Sequence, residues 1–171
     1  VCQAFAAVGE AADVAALERV GFRYTTQLVF MRSEPPRVRA DAEPEQRLTF
    51  WFRAPPLIED LEDTLLATHR GSLDCPELNA SRTDIELMQG FASATTAEWY
   101  YATRGDERVG LAIVELGTGG ALELTYLGVV PAARGRGFGA ELLQFLFTSV
   151  AHSSVLNVSV DTRNTPAMKL Y

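Results

Sequence analysis

The chain has 171 residues, of which 47% are hydrophobic and 22% charged, and a formal net charge of −7. This composition is typical of one globular domain with room for a short extra element. It argues against a membrane-spanning helix, because no run reaches about 18 uncharged apolar residues, and against general nucleic-acid binding, because that needs a basic footprint. Residues 1–17 lack the basic start of a signal peptide, so we expect a cytoplasmic protein with neither a membrane nor a nucleic-acid partner.

The first predicted elements are a helix and a strand. Apolar residues at helical spacing predict a helix over 10–20, and the β-forming residues of 22–32 predict a strand. A proline-containing, charged stretch follows and is interpreted as a linker or exposed loop. We therefore expect an N-terminal helix–strand unit (1–33), a linker (34–46) and a main domain (47–171).

The main domain is predicted to alternate strands and helices. In chain order the predicted elements are a strand at 47–53, helices at 57–70 and 83–94 with a loop at 71–82, strands at 98–104, 108–116 and 121–130, a helix at 139–151, a strand at 155–160 and a helix at 164–171. The three consecutive strands form an antiparallel meander, and the last strand–helix–strand implies a parallel pair. The order β-α-α-β-β-β-α-β-α after the N-terminal unit predicts an α/β (α+β) fold with a mixed, mainly antiparallel sheet flanked by helices.

The loop after the third meander strand is rich in glycine and arginine. Gly135, Gly137 and Gly139 allow backbone N–H groups to turn inward, and the start of the next helix adds unpaired N–H groups and a positive dipole end. Arg134 and Arg136 add charge that phosphates can pair with. These features predict a site for an anion such as a pyrophosphate.

Two ligand classes fit this loop. One is a dinucleotide, because Gly135, Gly137 and Ala140 satisfy the G-x-G-x-x-A spacing and Asp161 ends the next strand. Residues 131–134 separate the first glycine from the strand, however, and an antiparallel meander does not suit a doubly wound sheet. The other class is coenzyme A. A third interpretation, a plain strand-to-helix turn, does not require three glycines and two arginines.

Two motifs resemble signatures of the GNAT superfamily of N-acyltransferases. Arg134, Gly137 and Gly139 match its acyl-CoA loop pattern, Q/R-x-x-G-x-G/A. The second signature, N-x-x-A-x-x-L-Y, is matched by Asn164, Ala167, Leu170 and Tyr171. The two motifs occur in the family's order, with a helix and a strand between them, and the resemblance covers 47–171.

The resemblance implies an N-acyltransferase that uses acetyl-CoA or another acyl-CoA as co-substrate, needs no metal and transfers the acyl group directly to a primary amine in a ternary complex. Backbone N–H groups of Leu127, Gly128 and Val129 would stabilise the oxyanion and pair with pantetheine amides, and Tyr171 would protonate the leaving thiolate. The other residues expected to bind the cofactor are Arg134, Gly135, Arg136, Gly137, Phe138, Gly139, Ala140 and Asn164.

The general base is predicted to be Glu123, acting on the amine directly or through a water. Tyr126, expected on the opposite face of the strand, is a weaker candidate. His69 and His152, the only histidines, are interpreted as helix-end residues, where a cation is favourable.

Other readings remain open for the acceptor, the activity and the assembly. Glu77 and Asp84 flank the expected acceptor loop and could select a cationic substrate, either a small molecule or a peptide. The alternative function is a non-catalytic acyl-CoA-binding module, and a less favoured one is an NAD-type dinucleotide binder. The chain is compatible with a homodimer.

The N-terminal unit resembles the end of a GNAT domain, with Glu10 and Leu17 in place of the motif's Asn and Tyr. Two hypotheses follow from this resemblance. The chain is part of a longer tandem protein, or its strand at 22–32 docks on the main sheet in place of a last strand, within one chain or between two.

Overall fold

The computed structural model of the protein describes residues 3–33, 47–53, 61–93, 96–150 and 155–171, so the predicted linker lies outside the described residues. The strands are β1 (Leu28–Ser33), β2 (Thr49–Arg53), β3 (Glu98–Arg104), β4 (Glu107–Leu116), β5 (Leu122–Val129) and β6 (Leu156–Asp161). The helices are α1 (Ala11–Arg19), α2 (Glu62–His69), α3 (Pro76–Ala80), α4 (Asp84–Ala92), α5 (Phe138–Phe145) and α6 (Thr165–Leu170). A π-helical turn, Leu146–Val150, extends α5.

The described strands form one sheet in the order β1-β6-β5-β4-β3-β2. The pair β5–β6 is parallel and the other four pairs are antiparallel. This confirms the mixed, mainly antiparallel sheet, its meander and its parallel pair. The observed topology also excludes the doubly wound parallel sheet that a dinucleotide fingerprint would require.

The central strands β3 and β4 are buried on both faces of the sheet. On one face, Leu142 and Leu146 of α5 and its π turn pack in a cluster with Leu124. On the other face, Leu61 and Leu65 at α2 pack against residues of β3 and β4. The sheet is therefore enclosed between helices, and the site described below lies at the edge where β5 and β6 meet.

The N-terminal strand docks on the sheet of the same chain. Residues 28–33 pair antiparallel with residues 161–156 of β6, and the Thr162 N–H donates to the Gln27 carbonyl oxygen at 3.0 Å. The docking hypothesis is confirmed within one chain, although the strand begins at Leu28 and not at residue 22. Helix α1, in contrast, contributes no buried residue.

Two local expectations are wrong. The segment expected to be a loop, 71–82, contains α3, which begins at Pro76 because proline is favoured in the first helical turn. A β-bulge in β5 makes Thr125 an extra residue between Leu124 and Tyr126.

The bulge changes which side chains share a face. Leu124 packs in the α5 cluster, whereas Tyr126 packs with the α2 cluster. Glu123 points away from the face of its neighbour Leu124, so it lies on the face of Tyr126. The expectation that Tyr126 lies on the face opposite Glu123 is therefore wrong, because strict alternation fails at a bulge.

Candidate functional site

Strands β5 and β6 separate into a cleft. Their pairing is limited to Leu122–Leu124 with Leu156–Val158, although β5 continues to Val129 and β6 to Asp161. A cavity of about 240 Å³ opens beyond the last pair. This cleft cavity is lined by, among others, Tyr126, Leu127, Ser159, Asn164 and Tyr171.

The edge of β5 presents backbone N–H groups to this cleft. Val130 donates to the Val109 carbonyl oxygen of β4 at 3.0 Å, and the Val129 carbonyl oxygen accepts from Arg134 Nε on the other edge at 2.9 Å. Because hydrogen-bonded and non-hydrogen-bonded pairs alternate along an antiparallel pair, the N–H groups of Leu127 and Val129 face the cleft. The Gly128 N–H faces β4.

Gly128 makes room for side chains of the protein. A Cβ here would lie 2.5 Å from Tyr126 Oη and 2.9 Å from Thr68 Cβ. Thr68 Oγ1 and Tyr126 Oη are 2.9 Å apart, and this hydrogen bond links β5 to α2. Burial raises the pKa of Tyr126 to about 12, so its hydroxyl stays protonated.

The loop before α5 exposes a run of unpartnered backbone donors. The N–H groups of Gly135, Arg136, Gly137, Phe138 and Gly139 make no hydrogen bond to any part of the chain that the structure describes. Gly135 and Gly137 have positive φ angles of 73° and 81°, a conformation that glycine adopts without steric cost. These five N–H groups, called the anion cradle below, stand at the N-terminus of an eight-residue helix.

Residues within the anion cradle and next to it also have structural roles. The Ala140 N–H already donates to the Gly137 carbonyl oxygen at 3.1 Å. Gly139 lies beside α6, because a Cβ at this position would be in ordinary van der Waals contact with Leu170 Cδ2, at 3.5 Å. The Phe138 ring is buried in the core, at 4% exposure, so this residue can offer a ligand only its backbone.

The guanidinium of Arg134 is bound within the protein. Besides the Val129 carbonyl oxygen, it donates to the carbonyl oxygens of Thr68 at 2.9 Å, Arg70 at 2.7 Å and Gly71 at 3.2 Å. It therefore joins the loop to the end of α2, where carbonyl groups lack helical partners. Four hydrogen bonds leave little of this guanidinium for a phosphate, in contrast to the expectation from sequence.

Three guanidinium groups surround the Phe138 ring. Arg47 lies 4.9 Å from the ring centroid, and Arg104 and Arg136 lie 5.8 Å from it. Arg47 also pairs with Glu141 at 3.3 Å and donates to the Arg136 carbonyl oxygen at 2.9 Å. The Arg136 side chain thus remains beside the anion cradle as predicted. Arg47, which precedes β2, and Arg104 of β3 join it, and sequence reasoning did not connect these residues with the loop.

Helix α6 brings the second motif to the cleft. Asn164 is its N-cap, with Oδ1 accepting from the Ala167 N–H at 3.3 Å. Tyr171 follows the helix and lines the cleft cavity, and no described residue hydrogen-bonds its hydroxyl. Burial raises the pKa of Tyr171, with further contributions from Asp74 and Tyr126, so the phenol keeps its proton at neutral pH.

The structure does not bring Glu123 into the cleft cavity. Its Oε1 accepts a hydrogen bond from Asn157 Nδ2 at 2.8 Å, beside the paired ends of β5 and β6.

The carboxylate of Glu77 is also not open to an acceptor. It is bound by both terminal nitrogens of Arg163, at 2.6 and 2.8 Å. This hydrogen bonding lowers its pKa to about 2. The expected attraction of a cationic acceptor by Glu77 is therefore weakened, because Arg163 already neutralises the charge.

His69 is a lining residue that sequence reasoning missed. It is the last residue of α2, as the helix-end interpretation requires, but its side chain also lines the cleft cavity. It lines a second cavity too, of about 260 Å³, which contains Ser72, Asn79 and Asp84 and is called the side cavity below. The position of Asp84 at the side cavity keeps one predicted acidic residue near the expected acceptor region.

A splayed parallel strand pair in a mainly antiparallel sheet, beside a glycine-rich anion loop, defines the fold class of the acyl-CoA-dependent acetyltransferases. The family model described as "Acetyltransferase (GNAT) family" matches residues 58–171. The chain therefore belongs to the GNAT acetyltransferase family.

Solved structures show the same fold at low sequence identity. A GCN5-related N-acetyltransferase from Sphaerobacter thermophilus superposes with a TM-score of 0.60 at 20% identity, over 96% of this chain and 52% of that one. A functionally unknown conserved protein from Staphylococcus epidermidis gives 0.60 at 14% identity, over 96% and 62%. An IAA acetyltransferase from Bacillus cereus gives 0.52 at 16%, over 72% and 73%. The chain thus spans between half and two thirds of the length of the first two, and no curated protein matches it in sequence.

The described residues contain no group of three or more His, Cys, Asp or Glu side chains that could hold a metal ion. None of their helices has the length and apolar character needed to cross a membrane.

Proposed function

We propose that the protein transfers an acetyl group from acetyl-CoA to a primary amine by direct attack in a ternary complex. The observation that carries the proposal is that three features adjoin one another. Leu127 and Tyr171 line the cleft cavity, and the N–H groups of Leu127 and Val129 face the cleft. The anion cradle lies next to them, because a Cβ at Gly139 would lie within 4.0 Å of side chains of Leu127, Val129 and Leu170. Membership of the GNAT acetyltransferase family supports the same reaction class.

Coenzyme A fits this arrangement as a substrate. The anion cradle suits its pyrophosphate, because five backbone N–H groups and a helix N-terminus favour negative charge. Arg136 adds a positive charge at the same loop. The free edge of β5 suits the pantetheine amides, which can pair with it as an added strand does.

The chain's own groups then perform two tasks. The N–H groups of Leu127 and Val129 stabilise the negative charge that develops on the thioester carbonyl oxygen as the amine attacks. The Tyr171 hydroxyl gives its proton to the departing thiolate. Its raised pKa keeps the donor form populated throughout the neutral range.

The experiment pairs binding with turnover. We expect acetyl-CoA and CoA to bind in calorimetric titrations, NADH to give no signal, and thiol to be released with at least one amine of a panel of spermidine, tyramine, L-lysine and glycyl-lysine. Tyr171→Phe keeps the affinity for acetyl-CoA but lowers kcat by about 100-fold. Tyr24→Phe, a phenol that is 71% exposed, serves as the matched control.

Other outcomes separate the competing functions. Binding of acetyl-CoA without thiol release from any amine favours the non-catalytic acyl-CoA-binding module. Equal loss of affinity and turnover in Tyr171→Phe means that Tyr171 is structural. Binding of NADH alone contradicts the proposal.

A further inference from the structure

The imidazole of His69 occupies the wall between the two cavities described above. The cleft cavity contains Leu127 and Tyr171, the groups proposed to act on the thioester. The side cavity contains Asp84, between the end of α2 and α4. His69, Ser72, Asn79 and Leu87 line both cavities, and His69 is the titratable side chain among them.

Asn79 lines the same two cavities as His69. Its Nδ2 donates to the Asp74 carbonyl oxygen at 2.6 Å. In a neutral imidazole one ring nitrogen carries the proton and the other is an acceptor, as a general base requires.

Burial and one positive charge favour the neutral form of the imidazole. Its ring stacks on Tyr126 with centroids 6.4 Å apart. Burial and the charge of Arg82 lower the pKa of His69 below its usual 6.5, against the opposing effects of Asn79, Asp74 and Asp84. The other charged or titratable groups around it are Arg70, Cys75, Arg134 and Tyr171.

We propose that His69 accepts the proton of the attacking amine. This inference rests on the proposed acetyl transfer and assigns the general base of that reaction. Glu123 lines neither cavity and is bound to Asn157, whereas His69 lines both cavities.

The step balances in protons and bonds. The amine nitrogen forms the C–N bond, and one of its protons passes to His69. The C–S bond then breaks, and the sulfur receives the proton of Tyr171. The products are the amide and free CoA, and water returns the proton from the imidazolium and restores the phenol.

The test is the pH dependence of kcat with the fastest amine of the panel. We expect the wild-type kcat to fall below the lowered pKa of His69, because the protonated imidazole cannot accept a proton. His69→Gln lowers kcat by about 100-fold at pH 7.5 and removes this acidic limb, while the affinity for acetyl-CoA stays unchanged. The matched control is His152→Gln, the same change at a histidine outside the described residues.

A second variant tests the charge of the imidazole. Asn79→Asp adds a carboxylate to the cavities that His69 lines and stabilises the imidazolium. The acidic limb of kcat should therefore move to higher pH, a shift that loss of a structural contact alone does not produce.

A third measurement does not depend on the acceptor. In His152→Gln the sole remaining imidazole is that of His69, and its carbon-13 NMR titration midpoint should lie below 6.5. An ordinary or raised midpoint overturns the proposal.

The outcomes separate this inference from the function on which it rests. A wild-type acidic limb in His69→Gln, or loss of that limb in Glu123→Gln instead, overturns the role of His69 and leaves acetyl transfer intact. Absence of turnover with every amine, although acetyl-CoA binds, overturns both.

Discussion

The two walls of the cleft are built from different parts of the protein. The wall formed by β5, the anion cradle, α5 and α6 comes from one stretch of chain and offers mainly backbone N–H groups. The opposite wall, from the end of α2 to α4, offers side chains such as His69, Asn79 and Asp84.

The comparison shows that the two walls depend on different interactions. The backbone wall needs glycines with positive φ at Gly135 and Gly137. The side-chain wall depends on hydrogen bonds to residues distant in the chain. Asp161, Arg163 and Arg134 make the principal ones. Variants of the first wall should therefore affect ligand affinity, and variants of the second should affect stability.

The largest expected effect comes from the backbone wall. Gly137→Glu adds a carboxylate to the anion cradle, and its Cβ meets Arg47 Nη2 at 3.1 Å. We expect the affinity for CoA to fall by about 1,000-fold, or about 4 kcal/mol, in calorimetric titrations. Gly119→Glu is the matched control, because Gly119 has a similar φ of 70° but nothing within 4 Å of an added Cβ. Unchanged affinity in Gly137→Glu would refute the location of the cradle.

The next effect is on the side-chain wall. The fully buried Asp161 carboxylate accepts from the Cys75 N–H at 3.1 Å and from Arg163 at 2.7 Å. Asp161→Asn removes the charge, and the new amide N–H groups face the N–H donors of Cys75 and Arg163. We therefore expect a loss of about 3 kcal/mol in the free energy of unfolding, measured by urea denaturation. The exposed Asp106→Asn should change it by less than about 0.5 kcal/mol.

The same aspartate predicts a pH effect. Hydrogen bonds from Arg163 hold the pKa of Asp161 well below its usual 3.8. Below pH 3.8 the unfolded chain takes up a proton that the folded protein does not, so the stability present at neutral pH falls as pH decreases. Asp161→Asn should show a shallower fall, and an identical slope would contradict the pairing.

An intermediate effect is expected where the two walls are joined. Arg134→Met keeps the length of the side chain but removes its bonds to the carbonyl oxygens of Thr68, Arg70 and Gly71. We expect a loss of about 2 kcal/mol in the free energy of unfolding. Arg136→Met, in the same loop, should cost less than about 0.5 kcal/mol. Equal losses would mean that Arg134 does not join the walls.

The smallest effect is expected at the start of α4. Thr83 Oγ1 accepts from the Glu86 N–H at 3.2 Å, and Glu86 Oε2 accepts from the Thr83 N–H at 2.9 Å. Thr83→Ala should cost about 1 kcal/mol in thermal denaturation. Ser81→Ala, which removes an exposed hydroxyl bond, should have less effect, and a larger effect there would contradict the capping box.

Sequence reasoning predicted the elements whose signals are local. The meander, the parallel pair and the glycine loop each have their signal in neighbouring residues of the chain, and the structure contains all three. The bulge at Thr125 was not predicted, because its strand has no local signal that breaks the alternation. Helix α3 was missed as well, because five residues carry too little periodicity.

The sequence by itself determined the backbone half of the site, since a glycine-rich loop between a strand and a helix dictates where N–H groups point. Only the tertiary structure decided the side-chain half. Arg163, which is 86 residues away, binds the Glu77 carboxylate that was expected to attract the acceptor. His69 lines the cleft cavity with its ring stacked on Tyr126. The physical reason is that the charge and orientation of a side chain depend on partners that folding alone brings together.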